Sequence, residues 1–391
     1  MPRGRLRADR PGARVTGQRG VTTRHTGQCW GVDDDVRPDP RPTSPETVLD
    51  TVVVGAGQAG LSTSRHLVRL GVKHVVLDAN ERPGGAWQHR WDSLSMADVH
   101  GVADLPDAPA PGTSAARANV VVPAWFGDYE QRFGLPVLHG VRVERVTSEA
   151  ELLVVQAGSR RWTTRTLVNA TGTWSRPFVP HYAGAATFAG EQLHTVDYPG
   201  REHFVGRRVL VVGGGASAVQ FLGELAPVTD TLWVTRRPPV WRTDHFDKEA
   251  GRAAVALVED RVGRGLPPRS VVSVTGLALR EQEREAQRLG AYERRPMSER
   301  IEPTGVRWAD GSFEPVDVIL WATGFRPDVA HLAPLHLRSP LGGIQLDGTT
   351  AVADPRVQLV GYGPSASTIG ANRAGRAAAV AVTRHLRDEA A

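Results

Sequence analysis

Residues 50–60 read Asp50-Thr51-Val52-Val53-Val54-Gly55-Ala56-Gly57-Gln58-Ala59-Gly60. The β-branched run is a strand buried on both faces, and the glycines after it form a turn into a helix. Leu61, Leu67, Val68 and Leu70 recur at helical spacing, Gly71 stops them, and a second strand, His74-Val75-Val76-Leu77-Asp78, follows. The same pattern returns later. Strand Arg208-Val209-Leu210-Val211-Val212 leads to Gly213-Gly214-Gly215-Ala216-Ser217-Ala218, and a helix carrying Val219, Leu222 and Leu225 ends at Pro227. Strand Thr231-Leu232-Trp233-Val234-Thr235 then runs into Arg236-Arg237. Two strand–helix–strand units of this kind predict an α/β protein with two doubly wound, Rossmann-like sheets.

A glycine turn feeding a helix holds a pyrophosphate, because backbone N–H groups at the helix start point at the anion and the helix dipole favours it. Gly55 permits the tight turn, Gly57 the close approach of phosphate, and Gly60 the packing of helix on strand. Gly213, Gly215 and Ala218 take these places in the second copy, with Ser217 beside them. The residue 23 positions after the first glycine ends the second strand, and it is Asp78 in one copy and Arg236 in the other. A carboxylate accepts ribose hydroxyls and repels a 2′-phosphate, whereas the guanidinium of Arg236, joined by Arg237, clamps one bidentately. The first cradle is therefore expected to take an unphosphorylated dinucleotide and the second NADPH.

Composition narrows the remaining classes. The chain has 391 residues, of which 40% are hydrophobic and 23% charged, a globular balance with room for two domains. No apolar run reaches the roughly 18 residues of a membrane helix, and the Arg-rich start lacks the apolar core of a secretory signal. The single cysteine, Cys29, excludes an intramolecular disulfide, a dithiol redox centre and any multi-thiolate metal site, so a cytoplasmic setting and no metal are expected. The net charge of +5 comes almost wholly from arginine, since lysine occurs only at Lys73 and Lys248. These arginines are interleaved with acids rather than gathered into a stripe with stacking aromatics, which argues against nucleic acid.

Residues 1–46, rich in Pro, Gly and Arg, read as a disordered tail. A second repeated string, Ala170-Thr171-Gly172, follows strand-like Thr166-Leu167-Val168-Asn169 and returns as Ala322-Thr323-Gly324 after Val316 to Trp321. Before it, Val306-Arg307-Trp308-Ala309-Asp310-Gly311 predicts a strand entering a type I′ hairpin turn. Arg280 to Arg288 reads as a solvated helical face or loop, and Gly370 to Arg387 as a closing helix.

Three motifs together resemble the flavin-containing monooxygenase superfamily, which includes the multisubstrate flavin monooxygenases, the YUCCA-type enzymes and the Baeyer–Villiger enzymes. The first is the fingerprint Gly55 to Gly60 with Gly84-Gly85-Ala86-Trp87 downstream. The second is Phe188-Ala189-Gly190-Glu191-Gln192-Leu193-His194-Thr195-Val196-Asp197-Tyr198, which matches the signature F-x-G-x-x-x-H-x-x-x-[FY] at each fixed position. The third is the fingerprint from Gly213 through Ala218. The resemblance implies that an NADPH domain (176–325) is inserted into an FAD domain made of 47–175 and 326–391. It implies FAD contacts from Gly55, Gly57, Gly60, Asp78, Gly85, Trp87, Thr368 and Ile369, and a hinge organised by Phe188, Gly190, His194 and Tyr198. Family members carry an asparagine near the flavin shortly after an aromatic-x-Ser-Leu string. Here Trp91-Asp92-Ser93-Leu94-Ser95-Met96-Ala97-Asp98 has none, so Asp98 or His100 stands in as the catalytic candidate.

The activity implied is NADPH-driven insertion of one atom of O2 into a small organic substrate, an N- or S-oxygenation or a related reaction, through a flavin hydroperoxide. Two alternatives stay open on the residues alone: an NADPH-dependent flavin reductase or oxidase, and a non-catalytic redox-sensing or transport-associated flavoprotein.

Overall fold

The computed structural model describes residues 48–99, 102–241, 248–268, 276–277, 279 and 281–391. The tail expected over residues 1–46 and the candidate His100 lie outside the described residues.

The chain opens with β1 (Leu49–Val54), α1 (Gln58–Arg69), β2 (His74–Leu77), α2 (Ala118–Arg132), β3 (Val137–Leu138), β4 (Arg145–Glu149), β5 (Leu152–Ala157) and β6 (Arg160–Asn169). Next come β7 (Glu191–His194), β8 (Arg208–Val212), α3 (Ala216–Leu225), β9 (Asp230–Val234), α4 (Lys248–Gly263) and α5 (Glu281–Arg288). It continues with β10 (Arg294–Arg295), β11 (Arg300–Glu302), β12 (Gly305–Arg307), β13 (Phe313–Pro315) and β14 (Val318–Trp321). It ends with β15 (Leu346–Asp347), β16 (Thr350–Ala351), β17 (Val357–Leu359) and α6 (Thr368–Asp388).

Two parallel sheets organise these elements. In the first the order is β15-β16-β17-β6-β1-β2-β3, with β5 and then β4 branching antiparallel from β6. From β17 to β3 every pairing is parallel. The second runs β10-β9-β8-β14-β7 and is parallel throughout. The strands of the second sheet all fall in sequence between β6 and β15. The valine runs explain why both sheets are covered on two faces. Val53 and Val209 point into one core, while Val52, Val54, Leu210 and Val212 point the opposite way into others. Helix α6 closes against α1 through small residues, so tightly that a Cβ on Gly375 would lie 2.7 Å from Ser62 Oγ.

The hairpin differs from the sequence expectation. Its strands β12 and β13 are joined by residues 308–312, and only Gly311 of the Asp310–Gly311 pair has positive φ (+83°). A type I′ turn needs both. Asp310 instead accepts from the Ser312 backbone N–H at 2.9 Å, which closes the bend through its own carboxylate.

Candidate functional site: two cradles and the seam between them

The two glycine turns are built alike, atom for atom in several respects. Gly55 has φ +102° and donates to Leu77 O at 2.7 Å, while Gly213 has φ +142° and donates to Val234 O at 3.0 Å. A Cβ on Gly55 would sit 2.6 Å from Ala170 O, and one on Gly213 2.1 Å from Ala322 O. Gly60 packs its Cα face on Gly55 O, which an added Cβ would meet at 1.8 Å; its counterpart Ala218 is fully buried. Gly57 and Gly215 are different. Each is the extended N-cap of its helix, and an added Cβ there meets no protein atom within 4 Å. Open space in front of unpaired helix-start N–H groups, at the same place in both turns, fits a bound pyrophosphate. Ser217 stands half-buried in the first turn of α3.

Asp78 is 4% exposed and ties the end of β2 to the first turn. One carboxylate oxygen accepts from Ala56 N at 2.6 Å, the other from Asn80 N at 2.8 Å and Asn80 Nδ2 at 2.7 Å. The oxygen that accepts from Ala56 N keeps a further lone pair for a ribose hydroxyl. In the second copy the strand is one residue shorter than the spacing predicts: Gly213 N bonds Val234 O as Gly55 N bonds Leu77 O, so the buried Thr235, not Arg236, takes the place of Asp78. Arg236 and Arg237 follow it and are exposed, and the Thr235 hydroxyl donates to Arg237 O at 2.7 Å.

Gly85 brings its backbone onto the first cradle: a Cβ on it would lie 2.9 Å from Gly57 Cα. Trp87 follows in the same short 3-10 helix, with the Arg90 guanidinium over its ring and over that of Trp174, at 5.6 and 4.5 Å from the centroids. Gly361 reaches this region from the far end of the chain, its Cβ position 3.5 Å from Gly172 Cα. Thr368 and Ile369 begin α6, capped by Ser367, whose hydroxyl accepts from Gly370 N at 3.1 Å.

Of the signature residues, Phe188 and Gly190 belong to the second sheet's own core and edge, while His194 and Tyr198 reach the linker and the 91–98 segment. Phe188 is buried, and a Cβ on Gly190 would collide with Asp317 O at 2.4 Å. His194 is 4% exposed; its Nε2 faces Gly324 O at 3.0 Å and its Nδ1 accepts from Val196 N at 3.3 Å. Those partners assign the proton to Nε2, and burial holds the imidazole pKa below its ordinary value, so the ring is neutral near pH 7. Tyr198 packs between Phe221 and Phe204, with centroids 4.3 and 5.4 Å away, and edge-on to Trp91 at 6.2 Å. Burial, then the Glu224 carboxylate, pushes its phenol pKa up, so it stays protonated.

Asp98 lines a cleft of about 450 Å³ with Trp91, Ser93, Gln220 and Glu224, where the 91–98 segment meets α3. It accepts from Ser95 Oγ, and its backbone carbonyl accepts from Gln220 Nε2 at 3.3 Å. Ser93 closes the other side by donating to Glu224 at 2.5 Å.

The linkers after the two Ala-Thr-Gly strings add residues that the sequence reading left without a role. Phe178 N donates to Gly324 O at 2.9 Å, Arg326 N to Arg176 O at 2.9 Å, and Asp328 N to Gly172 O at 3.0 Å. Thr171 Oγ1 donates to Asp328 O and Thr323 Oγ1 to Phe178 O. Trp174 stacks on Phe325 at 5.1 Å, and Phe325 meets His194 edge-on at 5.1 Å. The repetition of the string was the visible signal; that each copy would bind the other's linker was not.

Among the described residues no group of three or more His, Cys, Asp and Glu is placed to hold a metal, and no helix is long and apolar enough to cross a membrane. The model for the family described as pyridine nucleotide-disulphide oxidoreductase matches residues 49–362. A flavin-containing monooxygenase from Stenotrophomonas maltophilia superposes with a TM-score of 0.75 and 37% identity, covering 87% of this chain and 99% of that one. An indole-3-pyruvate monooxygenase of Oryza sativa subsp. japonica is 28% identical over 72% of this chain and 78% of its own length. CzcO, an uncharacterized oxidoreductase of Bacillus velezensis, is 28% identical over 51% of this chain, which spans 61% of that relative. With both cradles formed on two doubly wound sheets, this chain belongs to the pyridine nucleotide-disulphide oxidoreductase family and, within it, to the flavin-containing monooxygenases, oxidoreductases that use FAD and NADPH.

Proposed function

We propose that the chain consumes NADPH to transfer one atom of O2 to a soft nitrogen or sulfur centre of a small organic substrate, the other atom leaving as water. FAD would be held by Gly55, Gly57, Gly60, Asp78, Gly85, Trp87, Thr368 and Ile369, in a domain made of 47–175 and 326–391. NADPH would be held by Gly213, Gly215, Ser217, Ala218, Arg236 and Arg237, within 176–325. When bound, the flavin supplies hydride acceptance and oxygen activation.

The chain's own residues do the rest. Helix-start N–H groups beyond Gly57 and Gly215 bind the two pyrophosphates, and Asp78 against Arg236 sorts the two nucleotides. Trp87 and Trp174, half-buried and bridged by the Arg90 guanidinium, stand beside the first cradle and would shield one side of it. His194, neutral and bonded to Gly324, fixes the linker rather than carrying a proton. Asp98, in the cleft at the seam, is the candidate group to meet substrate. The observation that carries the reading is a complete second cradle ending in two exposed arginines, with the buried His194 of the signature bonded to the linker at Gly324. Tyr198 closes that signature in its Phe/Tyr form, which favours nitrogen or sulfur over a ketone.

The test supplies FAD-loaded protein with NADPH and ¹⁸O₂ on amine, sulfide and ketone panels. The expected result is one labelled N-oxide or sulfoxide per NADPH consumed. Hydrogen peroxide formed one for one with NADPH, with no oxygenated product in any panel, overturns the reading.

A further inference from the structure

Arg294 lies on β10, the edge strand that pairs in parallel with β9, opposite Trp233. Its side chain reaches past the end of β9. Nε donates to Thr235 Oγ1 at 2.8 Å and Nη2 to the Thr235 carbonyl at 3.5 Å. The Thr235 hydroxyl passes the contact on by donating to Arg237 O at 2.7 Å, and Thr235 N donates to Arg295 O at 3.2 Å. Thr235 is 2% exposed, and its methyl faces the second glycine turn. A Cβ on Gly214 would lie 3.5 Å from Thr235 Cγ2 and 4.0 Å from Arg237 O.

One guanidinium therefore sets the path of the backbone that carries Arg236 and Arg237, and its separation from the cradle. The strand beneath is itself anchored, because Arg295 pairs with Glu314 and lies over the Trp308 ring at 5.1 Å. Both Arg294 bonds go to uncharged acceptors, so its positive charge stands beside the Arg236–Arg237 turn without being neutralised by them. Two exposed arginines on an unsupported turn would sample many geometries, and a planar fork binds a phosphate well only in a few of them.

We propose that Arg294 is a positioning residue for the 2′-phosphate: by holding Thr235 it aims the Arg236–Arg237 turn at the second cradle and sets the preference for NADPH over NADH. The proposal rests on the second cradle being the NADPH site.

Calorimetry on FAD-loaded protein, with adenosine 2′,5′-diphosphate and with 5′-AMP as probes, reads this without turnover. Arg294→Ala is expected to weaken the diphosphate about 5- to 20-fold and 5′-AMP less than about 2-fold, at unchanged flavin content. Arg294→Lys keeps the charge but not the fork, and is expected to recover only part of that loss. Thr235→Val removes the acceptor hydroxyl and should give the same selective loss, with Arg294→Ala adding less than about 2-fold on top of it. Equal weakening of both probes, full recovery by lysine, or additive losses with Thr235→Val each overturn the proposal. Arg236→Ala separates the two levels. If it weakens the diphosphate while Arg294→Ala does not, only this proposal fails; if it leaves the diphosphate unaffected, the NADPH reading falls and takes this proposal with it.

Discussion

Gly57→Ala adds one methyl group at the N-cap of α1, where a Cβ meets no protein atom within 4 Å. The backbone there is extended, with φ −78° and ψ −172°, a conformation alanine adopts without strain. Restricting the unfolded chain favours the apo fold by about 0.4–1 kcal/mol, and the poorer N-cap costs roughly as much. Folding is thus left within about 1 kcal/mol of wild type, a melting shift of no more than about 2–4 °C. The methyl does enter the space assigned to the FAD pyrophosphate, where overpacking costs about 1–3 kcal/mol, or about 5- to 150-fold in dissociation constant. Gly55 and Gly60 give the contrast. At Gly55 the positive φ and a Cβ 2.6 Å from Ala170 O strain the fold itself, and at Gly60 the clash with Gly55 O is at 1.8 Å. Flavin-to-protein ratio by absorbance and apo melting by far-UV circular dichroism separate the cases. Gly57→Ala is expected to be folded and flavin-poor, and Gly55→Ala and Gly60→Ala to be destabilised before any flavin is added. A fully yellow Gly57→Ala protein refutes the assignment of that space to the pyrophosphate.

Gly215→Ala should reproduce this behaviour in the second cradle, lowering NADPH affinity while the flavin stays bound; loss of flavin instead would mean that the two cradles are wrongly paired with their nucleotides. Arg236→Ala should raise the Michaelis constant for NADPH about 5- to 30-fold, the scale of about 1–2 kcal/mol for an exposed charge-assisted pair, with NADH changed less than about 2-fold. Equal losses with both nucleotides would contradict the 2′-phosphate role. His194 and His331 are both held below the ordinary imidazole value of 6.5, burial being the first cause. The unfolded chain then binds protons that the folded chain refuses. Their contribution to stability is complete above that value and is lost as pH falls below it. The melting temperature should drop between about pH 7 and about pH 5, and replacing both histidines by glutamine should lessen the drop without removing it, since His66, His74 and His89 are held low by burial as well; a drop unchanged in the double variant would show these two histidines to contribute nothing.

The doubly wound architecture was readable because each sheet strand buries two faces, which writes it as a run of valine and leucine, and because each turn needs glycine where φ is positive. Asp78 was readable for a similar reason, since strand and helix lengths fix where the second strand ends; the same count overshoots by one residue in the second copy, where Thr235 rather than Arg236 follows the last strand residue. What distance in sequence hides is who holds these residues in place. Asp78 is anchored through Ala56 N and Asn80, a local arrangement no periodicity encodes. Thr235 depends on Arg294, 59 residues later on a two-residue strand too short to show a pattern. The Asp310–Gly311 pair misled because the dipeptide signals a turn, while the Asp310 carboxylate decides which turn.

The repeated Ala-Thr-Gly string acquires a meaning that neither copy has alone. In each copy the alanine carbonyl backs the first glycine of a cradle, Ala170 behind Gly55 and Ala322 behind Gly213. The threonine then bonds not its own linker but the other one: Thr171 reaches Asp328 O, and Thr323 reaches Phe178 O. The glycine that follows turns the chain with φ +63° or +79° and leaves open space beside it. Each cradle's rear wall is thereby joined, through the next residue, to the linker that follows the opposite cradle's rear wall. Two side-chain hydrogen bonds thus tie each linker to the other, and His194, bonded to Gly324, sits beside them. Crossed threonines of this kind would hold the two proposed nucleotide sites in register, as transfer between them requires.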